Sequence, residues 1–186
     1  AHDGYRHKNG QRLSLPFTTT AGDKVRETVE TFLQNQWKEI GVEVIIKNEP
    51  ARVFFGDTLK KREYALGMYA WSFSLENIPR STLHSSAIPN EKNGWSGQNN
   101  PGWSNPKVDQ AIEQMETEFD PKKRNELAYE IEKYYTEDVP VIPLYYRSDV
   151  AVNPTTLRNF ELTGHQFYET NSIENWDVKV RSADVK

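Results

Sequence analysis

The sequence contains no cysteine, which excludes disulfide bonds, thiolate metal ligands and cysteine nucleophiles together. It contains no run of about 18 consecutive apolar residues, so no segment is predicted to span a membrane. Lysine and arginine form no block, and the net charge of −4 argues against a nucleic-acid-binding surface, because phosphate binding requires clustered basic residues. Aromatic residues make up 12% of the chain, which excludes a disordered protein, because disordered segments are poor in aromatics.

The length of 186 residues is enough for one domain, or for one domain with an appendage. The absence of cysteine fits an exported bacterial protein as well as many cytosolic proteins, so it does not decide the compartment. The chain begins with Ala1 rather than methionine, and no signal peptide is visible. We therefore expect this start to result from cleavage or truncation.

The first 71 residues predict alternating strands and helices. Residues 13–17 alternate between apolar and polar side chains, residues 42–46 are rich in β-branched side chains, and residues 64–71 form a mostly apolar run of strand length. Apolar residues recur at helical spacing over 22–40 and 51–62. The order β-α-β-α-β favours an α/β fold in which a parallel or mixed sheet is flanked by helices.

Capping signals mark the start and end of the first long helix and the starts of two later helices. Thr20 with Asp23 three residues later has the pattern of an N-cap, and Gly41 stands where a helix-terminating glycine is expected. Asn105 and Asp120 are each followed by proline, which predicts an N-cap with proline at the first helical position.

Two helices are therefore predicted over 106–118 and 121–138. After them, residues 141–146 and 150–152 have the apolar, β-branched composition of strands. The apolar residues of 153–186 follow no strong period, so no helix or strand is predicted there.

Catalytic motifs are sparse. The histidines show no metal-binding pair at helical spacing, no HExxH motif occurs, and there is no phosphate-binding glycine loop. The run His84-Ser85-Ser86 contains a base and a nucleophile, but adjacency in sequence is not the geometry of a catalytic triad. We therefore predict no enzyme activity, no metal and no cofactor. The four histidines are His2, His7, His84 and His165.

A polar loop rich in tryptophan follows the third predicted strand, over residues 72–105. Trp71, Trp95 and Trp103 must each pack on something, because indole rings are costly to expose to water. They can fold back onto the core, or they can line a ligand cleft between polar side chains. The cleft is favoured because ligands of α/β proteins bind beyond the carboxyl ends of strands, and Trp71 stands at such an end.

Four motifs, in order along the chain, resemble the oligopeptide- and dipeptide-binding proteins of solute-binding family 5. They are the helix-strand unit Phe32–Val44 with Trp37 and Gly41, the strand end Met68–Ser72, the element Asn100–Asp109, and the segment from Arg124 to Pro140-Val-Ile-Pro-Leu144. Each motif is weak alone, but four in sequence are specific and cover almost the whole chain.

This resemblance implies the second lobe of a two-lobed, periplasmic-binding-protein-like clamp. Residues 1–147 would form the ligand-binding lobe, and residues 148–186 would return toward a first lobe. Such a protein is the substrate-binding component of an ABC transporter, located in the periplasm or tethered outside the membrane. It captures a peptide or peptide-like solute and delivers it to membrane permease subunits.

The resemblance and the strand-end rule together give a set of candidate ligand-binding residues. In peptide binders, an aspartate shortly after the strand-end tryptophan pairs with the peptide amine, but serine occupies the aligned position here. The nearest acid is Glu76, which leaves modified peptides or another polar solute open. A protein-interaction module, or an α/β hydrolase-type enzyme, remains the alternative. The candidates are Tyr69, Trp71, Ser72, Phe73, Ser74, Glu76, Asn77, Trp95, Asn100 and Trp103.

Overall fold

The computed structural model describes residues 3–72, 78–164 and 168–179. By their internal contacts these residues fall into two compact units. The first contains the described residues of Ala1–Ala70 and Ile78–Val141, and the second contains those of Trp71–Asn77 and Ile142–Lys186. The predicted division into residues 1–147 and 148–186 stays a prediction, and each unit is described separately below.

A small parallel sheet forms the centre of the first unit. After an antiparallel ladder of β1 (His7–Lys8) and β2 (Gln11–Arg12), the chain forms β3 (Ser14–Thr18), β4 (Glu43–Ile46) and β5 (Leu66–Gly67). The strand order is β4-β3-β5, with both pairings parallel. The α/β class predicted from the sequence is therefore confirmed.

Helix α1 (Lys24–Glu39) connects β3 to β4 and begins at a different cap from the one predicted. The side chain of Asp23 accepts a hydrogen bond from the Arg26 backbone N–H, so Asp23 is the N-cap and the prediction of Thr20 was wrong. The Thr20 hydroxyl instead accepts a hydrogen bond from Arg26 Nη1 at 2.7 Å. The helix ends as predicted before Gly41, which adopts a positive φ of 79°.

Helix α2 connects β4 to β5 and contains a wider turn in its middle. It runs through Ala51–Val53, a π-helical turn at Phe54–Thr58, and Leu59–Lys61, which agrees with the predicted helix over 51–62. The Phe54 ring is fully buried and packs edge-on against Tyr69, with ring centroids 6.3 Å apart. The helix therefore holds the residues that follow β5 in place.

Three more helices complete the first unit: α3 (Arg80–Leu83), α4 (Pro106–Met115) and α5 (Pro121–Asp138). The side chains of Asn105 and Asp120 cap α4 and α5, as predicted from the sequence. One apolar core packs on the sheet and contains Phe17, Val42, Val44 and Met68. Helices α4 and α5 pack against each other around a second apolar core. Its buried members are Val108, Ala111, Ile112, Met115 and Ile131.

The predicted strand over 64–71 is reduced to two residues, Leu66–Gly67. Met68 remains buried beside the sheet, but Ala70 and Trp71 are exposed. The apolar run therefore reflects packing of the strand end as well as strand pairing, and the predicted length was wrong.

The second unit contains one small ladder, in which β6 (Leu157–Arg158) pairs with β7 (Asp177–Val178). The predicted strands over 141–146 and 150–152 are absent, and their residues are exposed. That prediction was wrong because a strand forms only where a neighbouring strand accepts its backbone hydrogen bonds. No strand among the described residues pairs with this segment.

Candidate ligand-binding site

Six of the ten predicted ligand-binding residues lie within the described part of the chain. Phe73, Ser74, Glu76 and Asn77 lie outside the described residues. The described candidates divide between the two units, and within the first unit the structure brings Tyr69 and Asn100 together. Tyr69, Trp95, Asn100 and Trp103 belong to the first unit, and Trp71 and Ser72 belong to the second.

Trp71 stands four residues after the end of β5 and keeps 42% of its surface exposed. Ser72 is exposed beside it. An indole ring that remains open to solvent at a strand end is typical of a contact surface for a ligand or another chain. Its role in binding stays a prediction.

Asn100 is buried and connects the polar loop to the end of β5. Its backbone oxygen accepts hydrogen bonds from the Tyr64 hydroxyl at 3.0 Å and from Arg62 Nε at 3.2 Å. Its side-chain Nδ2 donates to the Tyr69 hydroxyl at 3.1 Å. Burial raises the pKa of Tyr64 to about 12, so this phenol remains a neutral donor. Asn100 therefore positions Tyr69 in this structure.

Trp103 folds back onto the helical core. Its indole Nε1 donates to Asp138 Oδ2 at 2.9 Å, and its ring meets Tyr135 edge-on with centroids 5.9 Å apart. The backbone of Trp103 is held by the buried side chain of Asn99, whose Oδ1 accepts from the Trp103 N–H at 3.1 Å. These contacts give Trp103 a structural role, and direct contact with a ligand stays a prediction.

Trp95 is half-buried and adopts a left-handed backbone conformation, with a φ of 60°. Its backbone N–H donates to Asn90 O at 2.8 Å, which closes the 3₁₀ turn at Glu91–Asn93. Left-handed φ is uncommon for a residue other than glycine, asparagine or aspartate, so the turn is locally constrained. This turn fixes the direction in which Trp95 leaves the loop.

The carboxyl edge of the sheet contains buried polar residues that the sequence analysis did not single out. Thr18, Thr19 and Thr20 are all buried. The Thr19 hydroxyl donates to Met68 O at 2.6 Å, and its backbone N–H donates to Asn48 Oδ1 at 3.2 Å. Three consecutive threonines ending a predicted strand were the available signal, because apolar side chains are the usual choice for buried strand positions.

Glu30 is the one acid among the fully buried large side chains of the described residues. Its Oε2 accepts a hydrogen bond from Asn48 Nδ2 at 2.7 Å, whereas its Oε1 has no hydrogen-bond partner among the residues that the structure describes. Burial raises the pKa of the Glu30 carboxyl, although the hydrogen bond from Asn48 opposes this shift. The stability that this group contributes is present when it is protonated, and is lost as the pH rises through its folded-state pKa.

We expect Glu30→Gln to raise the free energy of unfolding more at high pH than in acid, because it replaces a carboxyl whose ionised form is disfavoured by burial and keeps an acceptor for Asn48. The gain should shrink on acidification, when Glu30 itself becomes neutral. Urea denaturation of both proteins across the acid range measures the difference.

Glu27, one turn earlier on α1, provides the control, because its pKa is shifted in the opposite direction from that of Glu30. Lys24 donates to its carboxylate at 2.7 Å, and this hydrogen bond lowers the pKa of Glu27. Glu27→Gln should therefore destabilise the protein at neutral pH, and the loss should disappear in acid. The same pH dependence in both variants would contradict the account of Glu30.

Neither a metal site nor a membrane-spanning helix is found in the described part of the chain. Among the described residues, no group of three or more histidine, cysteine, aspartate and glutamate side chains has the arrangement of a metal site. None of the described helices combines the length and the apolar composition needed to cross a membrane.

Comparison with known proteins relates the chain to peptide-binding proteins. No family model matches the sequence. The oligopeptide-binding protein OppA of Bacillus subtilis is 29% identical over 154 residues, which cover 82% of this chain. The chain spans only 26% of the length of that relative, and 31% of the length of the oligopeptide-binding protein AppA of the same organism, with which it is 25% identical.

Solved structures lead to the same group of proteins. An oligopeptide-binding protein of Thermus thermophilus, complexed with a pentapeptide, is 31% identical and superposes with a TM-score of 0.72. This superposition covers 79% of this chain and 27% of that one. AppA of Bacillus subtilis, in complex with a nonapeptide, has the same fold over 96% of this chain with a TM-score of 0.75. By sequence and by fold, the chain is therefore similar to about a quarter to a third of the length of oligopeptide-binding proteins.

Proposed function

We propose that this chain forms one lobe and the closing C-terminal segment of an extracytoplasmic solute-binding protein that captures peptides or peptide-like solutes. The supporting observation is 31% identity and a TM-score of 0.72 to a protein solved with a bound pentapeptide. In this proposal the whole protein delivers its solute to the permease subunits of an ABC importer. It acts in the periplasm, or tethered outside the membrane, and catalyses no reaction.

The proposed lobe comprises residues 1–147, and residues 148–186 return toward a first lobe. The compact first unit ends at Val141, close to this boundary, which supports the division. The exposed apolar side chains after that point also support it, because a cluster of exposed apolar side chains favours burial against a partner surface. Ile142, Tyr146, Val150 and Val152 are among them.

Recognition in the proposed cleft combines flat apolar walls with a few polar groups. Trp71 would stack on apolar parts of the solute, while Ser72 and the nearby serine and asparagine side chains would supply hydrogen bonds. Glu76 would meet a cationic group of the solute, because a carboxylate in a closing cleft is costly to leave unpaired. Native mass spectrometry of the protein purified from its host without denaturation tests the proposal. Peptide-sized adducts are expected, and bound solutes that are never peptide-like would count against it.

Trp71→Ala should weaken binding of a short peptide by about 1–3 kcal/mol, the scale of losing a buried aromatic anchor. The 42% of the Trp71 surface that is open to solvent would be covered in the complex, so its removal should lower affinity. Isothermal titration calorimetry measures the affinity, and thermal denaturation measures the stability.

Tyr129 offers a matched control because it is another exposed aromatic side chain, 68% open to solvent on α5. Tyr129→Ala should leave peptide affinity unchanged. If Trp71→Ala and Tyr129→Ala affect binding equally, Trp71 is not a ligand contact.

A further inference from the structure

A buried histidine, His84, caps a short turn within the polar loop. Its Nδ1 accepts a hydrogen bond from the Ser86 backbone N–H at 3.0 Å and lies 2.7 Å from Ser86 Oγ. Because Nδ1 accepts a backbone N–H, the neutral ring carries its proton on Nε2. His84 is thereby the N-cap of the 3₁₀ turn Ser85–Ala87. The Nδ1 lone pair is already used in this cap, so the arrangement does not favour His84 as a general base for Ser86.

Charged groups of two helices face the imidazole. From α4, Asp109 Oδ1 lies 3.8 Å from Nδ1 and Glu113 Oε1 lies 3.4 Å from Nε2. Glu116 lies further along α4, and Arg80 of α3 pairs with it through Nη2 and Oε2 at 2.8 Å. The carboxylates of Asp109 and Glu113 are thus placed to accept N–H groups from a ring that carries a proton on both nitrogens. The cap requires the neutral ring, so the two sets of contacts favour different protonation states.

We propose that His84 is a proton-operated switch that holds the turn after α3 when neutral and releases it when protonated. The proton adds to Nδ1 and removes the lone pair that accepts the Ser86 N–H. Two N–H donors would then face each other at a separation that is now 3.0 Å. The ring relieves this conflict by donating its new N–H to Ser86 Oγ, 2.7 Å away, or to Asp109 Oδ1, 3.8 Å away, while the Nε2–H pairs with Glu113. Each protonation state thus has its own partners.

The turn is connected through Asn99, which is fully buried, to the residues just before α4. Asn99 Nδ2 donates to His84 O at 3.1 Å and to Trp103 O at 2.8 Å. The Asn99 backbone N–H donates to Ala87 O at 3.1 Å. A change in the turn at Ser85–Ala87 therefore displaces the acceptors that hold Asn99, and through Asn99 it reaches Trp103.

The test is a two-dimensional ¹⁵N NMR titration of the chain between about pH 7.5 and pH 5, the range in which histidine changes charge. The backbone amides of Ser86, Ala87 and Asn99 should shift with the same midpoint as the His84 ring protons. His84→Asn should abolish these shifts, because asparagine caps the turn with its side-chain oxygen and cannot take up the proton. His7→Asn, which alters the histidine beside Asp3, should leave them unchanged.

Two results would overturn the proposal: amides of Ser86, Ala87 and Asn99 that stay constant while His84 titrates, or amides that shift equally in His84→Asn. Asp109→Asn gives a second test should His84→Asn fail to fold. Asp109 Oδ1 accepts a hydrogen bond from the Ser85 backbone N–H at 2.8 Å, and asparagine keeps this acceptor but removes the charge, so the midpoint shared by the Ser86, Ala87 and Asn99 amides should move to lower pH. An unchanged midpoint would contradict the switch. These experiments need no solute, so their outcome is separate from that of the proposed function.

Discussion

Phe54→Ala is expected to lower the free energy of unfolding by about 3–5 kcal/mol, the usual range for removing a fully buried phenylalanine. Phe54 opens the π-helical turn of α2 and is fully buried. Its ring packs edge-on against Phe55 and Tyr69, at centroid distances of 5.1 and 6.3 Å. Alanine would leave a cavity beneath the strand end that carries Tyr69. Urea denaturation followed by circular dichroism measures the loss.

Phe119 is the matched control, because 93% of its surface is exposed just before α5. Phe119→Ala should change the free energy of unfolding by no more than about 0.5 kcal/mol. A similar small change for Phe54→Ala would show that α2 does not pack against the strand end as described.

Gly97→Ala should be destabilising by about 3 kcal/mol, because it combines backbone strain with a clash against another part of the backbone. Gly97 has a φ of 120°, and a Cβ added there would lie 2.1 Å from Ala87 O. The same carbonyl accepts the hydrogen bond from the Asn99 N–H. The methyl group must therefore separate the two segments that Asn99 holds together.

Gly94→Ala is the control for Gly97→Ala, because it introduces backbone strain without a steric clash. Gly94 also has a positive φ, of 63°, but a Cβ there would meet nothing within 4 Å. This variant should lose only the cost of a left-handed alanine, about 1 kcal/mol. Urea denaturation of both variants measures the contrast, and equal losses would mean that the close approach of Gly97 to Ala87 is not a constraint on folding.

Elements with local signals were predictable from the sequence. Asparagine or aspartate followed by proline marked the starts of α4 and α5 at Pro106 and Pro121, because capping and the fixed φ of proline act within one turn. The end of α4 was placed three residues too late, at 118 instead of Met115, since no glycine stops the helix there. The starts of α4 and α5 were therefore predicted more accurately than the end of α4.

The predicted strands over 141–146 and 150–152 failed because strand formation is not a local property. Composition shows that a segment suits a sheet, but the neighbouring strand must be supplied by a distant part of a chain. The threonine edge formed by Thr18–Thr20 was overlooked for a related reason. Its partners Asn48 and Met68 lie 29 and 49 residues from Thr19, and no sequence pattern connects them.

The candidate site shows the same limit. The sequence correctly indicated that tryptophans of the polar loop require packing partners, but it could not assign them. Trp103 donates to Asp138, 35 residues away, and Asn100 donates to Tyr69, 31 residues away. Both contacts depend on how α5 and β5 pack, so these two candidates proved to have structural contacts that spacing alone does not predict.

NMR titration of the ¹⁵N-labelled chain with a panel of tri- to pentapeptides tests the central claim most directly. We expect indole N–H shifts at Trp71, with weak affinity on the order of millimolar, because the proposed lobe makes only part of the contacts of a closed clamp. A matched panel of sugars should leave the Trp71 signal unchanged. Peptides that shift no loop or strand-end signal would contradict the peptide-binding proposal, and nanomolar binding by this chain alone would contradict the two-lobe arrangement.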